Sequence, residues 1–164
     1  MFVDYAIIVL PGPTLAISKE ELKLIGKEST ADATVQIPNE FGGGYYATLE
    51  VFHQLHCLNM VRMATYKEHY DLVHAFGDRP EWLRKHIDHC IDMLRQRLTC
   101  TSDIGLVTAV WVESYGEPYP DFNTQHQCRN FEKVQTWAKY HELNVSMQEM
   151  VAARGSVNLT EPPI

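Results

Sequence analysis

One decad is written twice in this chain. His53-Gln54-Leu55-His56-Cys57-Leu58-Asn59-Met60-Val61-Arg62 returns 33 residues later as His86-Ile87-Asp88-His89-Cys90-Ile91-Asp92-Met93-Leu94-Arg95. Five of the ten positions are identical: both histidines, the cysteine, the methionine and the arginine. Three more exchange like for like (Leu58/Ile91, Asn59/Asp92, Val61/Leu94). A match of this kind at a fixed offset is read as two equivalent elements packed about an approximate two-fold axis. That packing would bring His53, His56, His86 and His89 into one buried cluster.

Both copies have helical periodicity. With His53 at zero and about 100° per residue, Leu49, His56, Cys57, Met60, Met63 and Ala64 fall within roughly 80° of it. Gln54, Asn59, Arg62 and Thr65 face elsewhere. This predicts a helix from about Ala47 to Tyr66 with its histidines turned inward. A second helix is expected from Pro80, which suits a first turn, to Leu98. Trp82, His86, His89, Cys90 and Met93 share its inward face.

Inward imidazoles need partners, because a buried ring nitrogen without a hydrogen bond is costly. Four protonated rings in one place would also repel. A transition metal answers both problems, since neutral imidazole is a good ligand and i, i+3 spacing lets two rings reach one centre. Structural zinc would readily take Cys57 and Cys90 as thiolates. In an oxidising compartment those thiols would instead be bridged, leaving a nitrogen-only set that suits copper. A di-iron bundle needs two ExxH motifs. Glu50-Val51-Phe52-His53 supplies one, but Leu83 stands at the equivalent place in the second copy. The CxxCH of a c-type haem is absent. Copper, as one or two ions, fits first and zinc second. Met60 and Met93 are read as packing residues, with axial ligation the lesser alternative.

The compartment is argued from cysteines and sequons. Cys57, Cys90, Cys100 and Cys128 form an even set that could close two disulfides in any of three connectivities. Asn144-Val145-Ser146 and Asn158-Leu159-Thr160 are N-glycosylation sequons. Together they tilt toward a lumenal or extracellular setting over a cytosolic one. A net charge of −7 excludes a general nucleic-acid binder, which would need a basic face. The apolar run Tyr5–Leu10 is cut by Pro11-Gly12-Pro13 and lacks a basic flank, so it makes a poor signal peptide. No run approaches a membrane span of about 20 residues, so the chain reads as soluble.

The remaining elements frame a mostly α fold, with a little β and long irregular segments, in one domain of 164 residues. Residues 1–46 are expected to pack irregularly on a core spanning 47–150, and 151–164 to form a disordered tail. Ser18-Lys19-Glu20-Glu21 is a capping-box start, followed by Leu22, Leu24 and Ile25 and stopped by Gly26. Phe41-Gly42-Gly43-Gly44-Tyr45-Tyr46 is a hinge or close-packing turn. Leu106–Val112 is a predicted strand. Arg129–His141 is a predicted helix burying Phe131, Val134, Trp137 and Ala138.

At the doubled HxxHC motif the sequence resembles the fungal UstYa-like oxidases. The resemblance runs from about Ile17 to His141. It takes in Gly43–Tyr46, Leu49–Asn59, His86–Gln96, Cys100, Asp103 and His126-Gln127-Cys128-Arg129-Asn130-Phe131. It implies copper-dependent oxidation, with dioxygen or peroxide as oxidant, in mycotoxin or ribosomal cyclic-peptide biosynthesis. Cyclisation, hydroxylation, desaturation and chlorination of a small-molecule or peptide substrate are the implied reactions. It makes His53, His56, His86 and His89 the metal ligands, and gives His126 a place completing the site or moving a proton. Cys57–Cys90 and Cys100–Cys128 are then the expected disulfides. Such proteins are associated with the secretory-pathway lumen through an N-terminal membrane helix, which these residues lack. A zinc-stapled interaction module, or a helper subunit paired with an active paralogue, is the alternative. His69, His74 and His141 are read as surface residues.

Overall fold

The computed structural model describes residues 12–70, 79–146, 149–150 and 156–160. The fold is mostly helical, as expected. In chain order the elements are β1 (Leu15–Ile17), α1 (Lys19–Leu24), β2 (Tyr45–Ala47), α2 (Glu50–Ala64), α3 (Pro80–Thr101), β3 (Thr108–Trp111), β4 (Pro118–Asp121) and α4 (Phe131–Tyr140). Short 3-10 turns lie at Glu28–Ala33, Asn39–Phe41 and Lys67–His69. The chain divides into two compact units, Met1–Asn59 with Val134–Ile164, and Met60–Lys133.

In the first unit, α1 is a six-residue helix whose ends are both specified locally. Ser18 Oγ accepts from the Glu21 amide at 3.1 Å, and the Glu21 carboxylate accepts from the Ser18 amide at 2.7 Å. These two bonds satisfy N–H groups that a helix start otherwise leaves bare. At the other end the Gly26 amide donates to Lys23 at 2.9 Å and the Lys27 amide to Leu22 at 3.0 Å. That pair of bonds is the Schellman stop, and Gly26 takes the positive φ (74°) it needs. Of the apolar residues in this segment only Leu22 is buried; Leu24 and Ile25 are exposed. A helix this short has room for one buried position.

Residues 1–46 are expected to be irregular or weakly extended around one short helix; in the structure β1 pairs antiparallel with β2, Leu15 opposite Ala47 and Ile17 opposite Tyr45. Two three-residue strands carry too little periodicity to be read in advance. The glycine run explains how they meet. Gly42, Gly43 and Gly44 all have positive φ, and a Cβ on Gly44 would stand 2.9 Å from the Ile17 carbonyl oxygen. The chain therefore turns here because side chains are missing. Leu15, Leu22, Ile37, Phe52, Cys57, Ala138 and Val145 are the main buried apolar residues of this unit.

In the second unit α3 runs three residues beyond the predicted end and closes on Ser102 in the left-handed region (φ 38°). Pro80 occupies its first turn as expected. The buried stripe is Leu83, Ile87 and Cys90, at i, i+4 and i+7. Trp82, assigned to the inward face, is exposed, with Arg79 and Lys85 lying over its ring at 5.7 and 5.2 Å. Its large ring is covered by cationic stems instead of by the core. The predicted strand Leu106–Val112 shortens to β3, which pairs antiparallel with β4.

α4 begins two residues later than predicted and buries Ala138 fully, whereas Trp137 is exposed and stacks on His141 at 4.3 Å between ring centroids. The tail expectation falls largely outside the described residues, at 151–155 and 161–164. Within 156–160 the Val157 amide donates to the Asp32 carbonyl at 2.9 Å. The apolar run Tyr5–Leu10 and His74 also lie outside the described residues. His69 and His141 are exposed, as read from the sequence.

Replacing Ser18 by Ala should remove one half of the capping box and lower unfolding stability by about 1 kcal/mol, with Ser18→Gly costing less. Thermal or urea denaturation of the two variants checks the order.

Candidate functional site

The first motif sits on α2. Its cysteine is the anchor: Cys57 is 0% exposed and Met60, one turn on, is 2% exposed. His53 and His56 are half-buried, so their rings border the buried stripe instead of lying within it. A ring nitrogen of His53 and Cys57 Sγ lie within 4.8 Å of one another. This is the consequence of i, i+4 spacing on a helix, where residues one turn apart share a face. His53 Nδ1 is 3.6 Å from Glu50 Oε1, and Glu50 also accepts from Gln54 Nε2 at 3.4 Å. A carboxylate beside Nδ1 helps orient the ring.

Asn59 departs from the wheel prediction. It was placed away from the apolar face, but it is 5% exposed. A buried amide has to be hydrogen-bonded, so this position is specified by polarity as much as by the helix period.

The second motif sits on α3. Cys90 is 0% exposed, matching Cys57, and His86 is half-buried. His89 is exposed, so the expectation of four histidines turned fully inward does not hold for this one. The stripe through Leu83, Ile87 and Cys90 fills the apolar side of α3, and His89 lies one residue off it. The neighbouring Asp92 carboxyl is held below the usual carboxylate range, chiefly by hydrogen bonds from Gln96 and Arg95, with the charge of His89 a smaller contribution. Arg84 pairs with Asp88 one turn along the exposed side, which raises the guanidinium pKa further. The repeat is thus equivalent at its cysteine and unequal around its histidines.

What chemistry these donors fit follows from bond lengths. A metal takes nitrogen at about 2.0 Å and sulfur at about 2.3 Å, so two donors sharing one ion stand within about 4.3 Å of each other. The His53–Cys57 pair is close to that span, and each motif carries two imidazoles. The donor set therefore fits a borderline or soft transition ion and does not fit calcium or magnesium, which call for oxygen.

His126 belongs to a separate arrangement in the second unit. Its Nδ1 is 3.0 Å from Asp103 Oδ2, and its Nε2 is 2.9 Å from Thr124 Oγ1. A carboxylate on one ring nitrogen and a hydroxyl on the other set the geometry of a general base or acid. The pair borders an open hollow of about 540 Å³ walled by Thr101, Ser102, Gly105, Gln125 and Cys128. Asp103 was noticed in the sequence without a role. The pairing could not be read there, because 23 residues and a hairpin separate it from His126. The Asp103 carboxyl lies below the usual range, first because the Gly105 amide donates to Oδ1 at 2.8 Å and then because of the His126 ring. Cys100 and Cys128 are exposed thiols, and Asn144 and Asn158 are exposed as glycan acceptors must be.

Comparison with known proteins decides the family. The model of the mycotoxin biosynthesis protein UstYa matches residues 10–141. The chain belongs to the UstYa family. It is 38% identical over 129 residues to the UstYa family oxidase phomYc' of Diaporthe leptostromiformis, covering 77% of this chain and 50% of that protein. It is 32% identical over 133 residues to the UstYa family oxidase aprY of Aspergillus flavus, covering 76% and 39%. A protein named transacylase cctO, of Talaromyces islandicus, is 35% identical over 118 residues, covering 67% and 39%. The chain spans half or less of the length of these three relatives. No solved structure matches it. Among the described residues no helix is long and apolar enough to cross a membrane.

The lowered carboxyl of Asp103 gives a pH test. Stabilisation from a depressed carboxylate is complete above the unfolded value of about 3.9 and is lost as pH falls through the folded value. Asp103→Asn should therefore be less stable than the native chain at neutral pH and equal to it near pH 2. Denaturant unfolding at both pH values checks this; a gap persisting at low pH would place the role of Asp103 outside its charge.

Proposed function

We propose that this UstYa-family chain is a copper-dependent oxidase of fungal secondary metabolism, with His53, His56, His86 and His89 as the metal ligands. The observation that carries the reading is the duplicated motif: two helices each carry a wholly buried cysteine and each place two histidines within four residues of it. When bound, copper supplies one-electron chemistry with dioxygen or peroxide, sufficient for hydrogen abstraction from a C–H or O–H bond.

The protein's own groups do the rest. Glu50 fixes the His53 ring through Nδ1. His53, His56 and His86 are half-buried and His89 is exposed, so this side of each helix is open to an incoming molecule. His126, oriented by Asp103, accepts or returns a proton at Nε2. The substrate is a small molecule or peptide, and the outcome is cyclisation, hydroxylation, desaturation or chlorination. We place the protein in the secretory lumen, with Cys57–Cys90 and Cys100–Cys128 bridged and Asn144 and Asn158 glycosylated. A homo- or hetero-oligomer with a paralogue is compatible with this setting.

One observation favours a second reading. The buried Cys57 sulfur beside His53 is a zinc-type nitrogen–sulfur pair, and a non-catalytic zinc-stapled module would keep Cys57 and Cys90 reduced. Elemental analysis of purified protein, with thiol counting after denaturation, separates the two.

His53→Ala and His86→Ala should each abolish copper retention and turnover together, lowering oxygen uptake with the pathway's substrate pool at least about a hundredfold. Full activity in both variants, or stoichiometric zinc with reduced thiols, overturns the oxidase reading.

A further inference from the structure

Between Arg97 and Arg129 the chain has no lysine or arginine, yet it carries Asp103, Glu113, Glu117 and Asp121. This acidic stretch folds as the β3–β4 hairpin, and it exposes Trp111 (78%), Tyr115 (57%) and Phe122 (72%). Tyr115 and Tyr119 meet edge to face with centroids 5.1 Å apart. A two-stranded hairpin alone is marginal in water, and exposed aromatics on it form a recognition surface more readily than a core.

The two outer edges of the hairpin differ. Ala109 stands opposite Pro120 and Trp111 opposite Pro118. Proline has no N–H to give the ladder, so these are the pairs that do not exchange hydrogen bonds. Val110–Tyr119 and Thr108–Asp121 are the pairs that do. The outer edge of β4 is therefore blunted at two positions, a device that prevents strand pairing. Across the hairpin, Ala109 and Trp111 turn their intact amides and carbonyls outward from β3. Among the described residues β3 pairs with no strand but β4.

We propose that the free edge of β3 is a docking site for an extended, positively charged peptide segment, which adds to the hairpin as a third strand. The β3 backbone supplies register through Ala109 and Trp111, a known mode of peptide recognition. Lysine or arginine side chains on the added strand meet Glu113, which follows β3, and the exposed Trp111 ring, in the field of Glu117 and Asp121 one strand further off. An acidic edge would repel an acidic peptide and a second copy of this chain's own acidic hairpin. This proposal does not depend on the metal reading, since the hairpin carries none of the proposed ligands.

The test uses the full chain without added metal and a capped six-residue peptide alternating lysine and valine, followed by amide hydrogen exchange. Saturating peptide should slow exchange at Ala109 and Trp111 at least about tenfold, leave the β4 amides unchanged, and bind more weakly as salt rises. Ala109→Pro, tolerated on an edge strand, should remove the binding, and Glu113→Gln with Glu117→Gln should weaken it while keeping the protection. The alternating glutamate–valine peptide should not bind. Unchanged exchange at Ala109 and Trp111 overturns the proposal. So does equal binding of the glutamate peptide, or protection that follows chain concentration without peptide, which would assign the edge to a second copy.

Discussion

The structure turns on one spacing. In each HxxHC copy the cysteine follows the second histidine by one residue and the first by four, so on a helix it shares a face with the first histidine. Cys57 and Cys90 are both completely excluded from solvent. A small, poorly hydrated thiol can be buried at little cost, whereas an imidazole loses hydration it must recover through a partner. The cysteine therefore sets how each helix is rotated, and the histidines take the margin of the buried stripe.

This division of labour was only partly legible in the sequence. The helices themselves were, because the motif recurs at helical spacing in both and α3 opens on a proline. The rotation of α3 was not. A wheel centred on the histidines turned Trp82 and His89 inward, while the buried stripe follows Leu83, Ile87 and Cys90. Aliphatic burial outweighs the position of a motif when the two differ by one residue. Asn59 was misplaced for the converse reason, since period alone treats every polar residue as outward. The α1 capping box was fully legible because its bonds join residues three apart.

What the sequence hid is whatever chain distance separates. β1 with β2 and Asp103 with His126 are both non-local, and neither leaves a periodic trace. The second matters more for function. A histidine outside a repeated motif shows only its residue type in the sequence; the carboxylate on Nδ1 and the hydroxyl on Nε2 give it a direction. An oriented imidazole beside an open hollow can move protons to or from a bound molecule, a task that redox chemistry on any substrate O–H or C–H bond requires.

The two halves of the doubled motif also differ in a way that bears on mechanism. Glu50 stands behind His53, but Leu83 holds the equivalent place before His86 and is buried. Asp92 lies near His89, where the first copy has Asn59, itself buried. A duplicated site under no functional pressure has no reason to move its carboxylate from one side of the histidines to the other. The exchange gives the two copies different electrostatic surroundings and different burial.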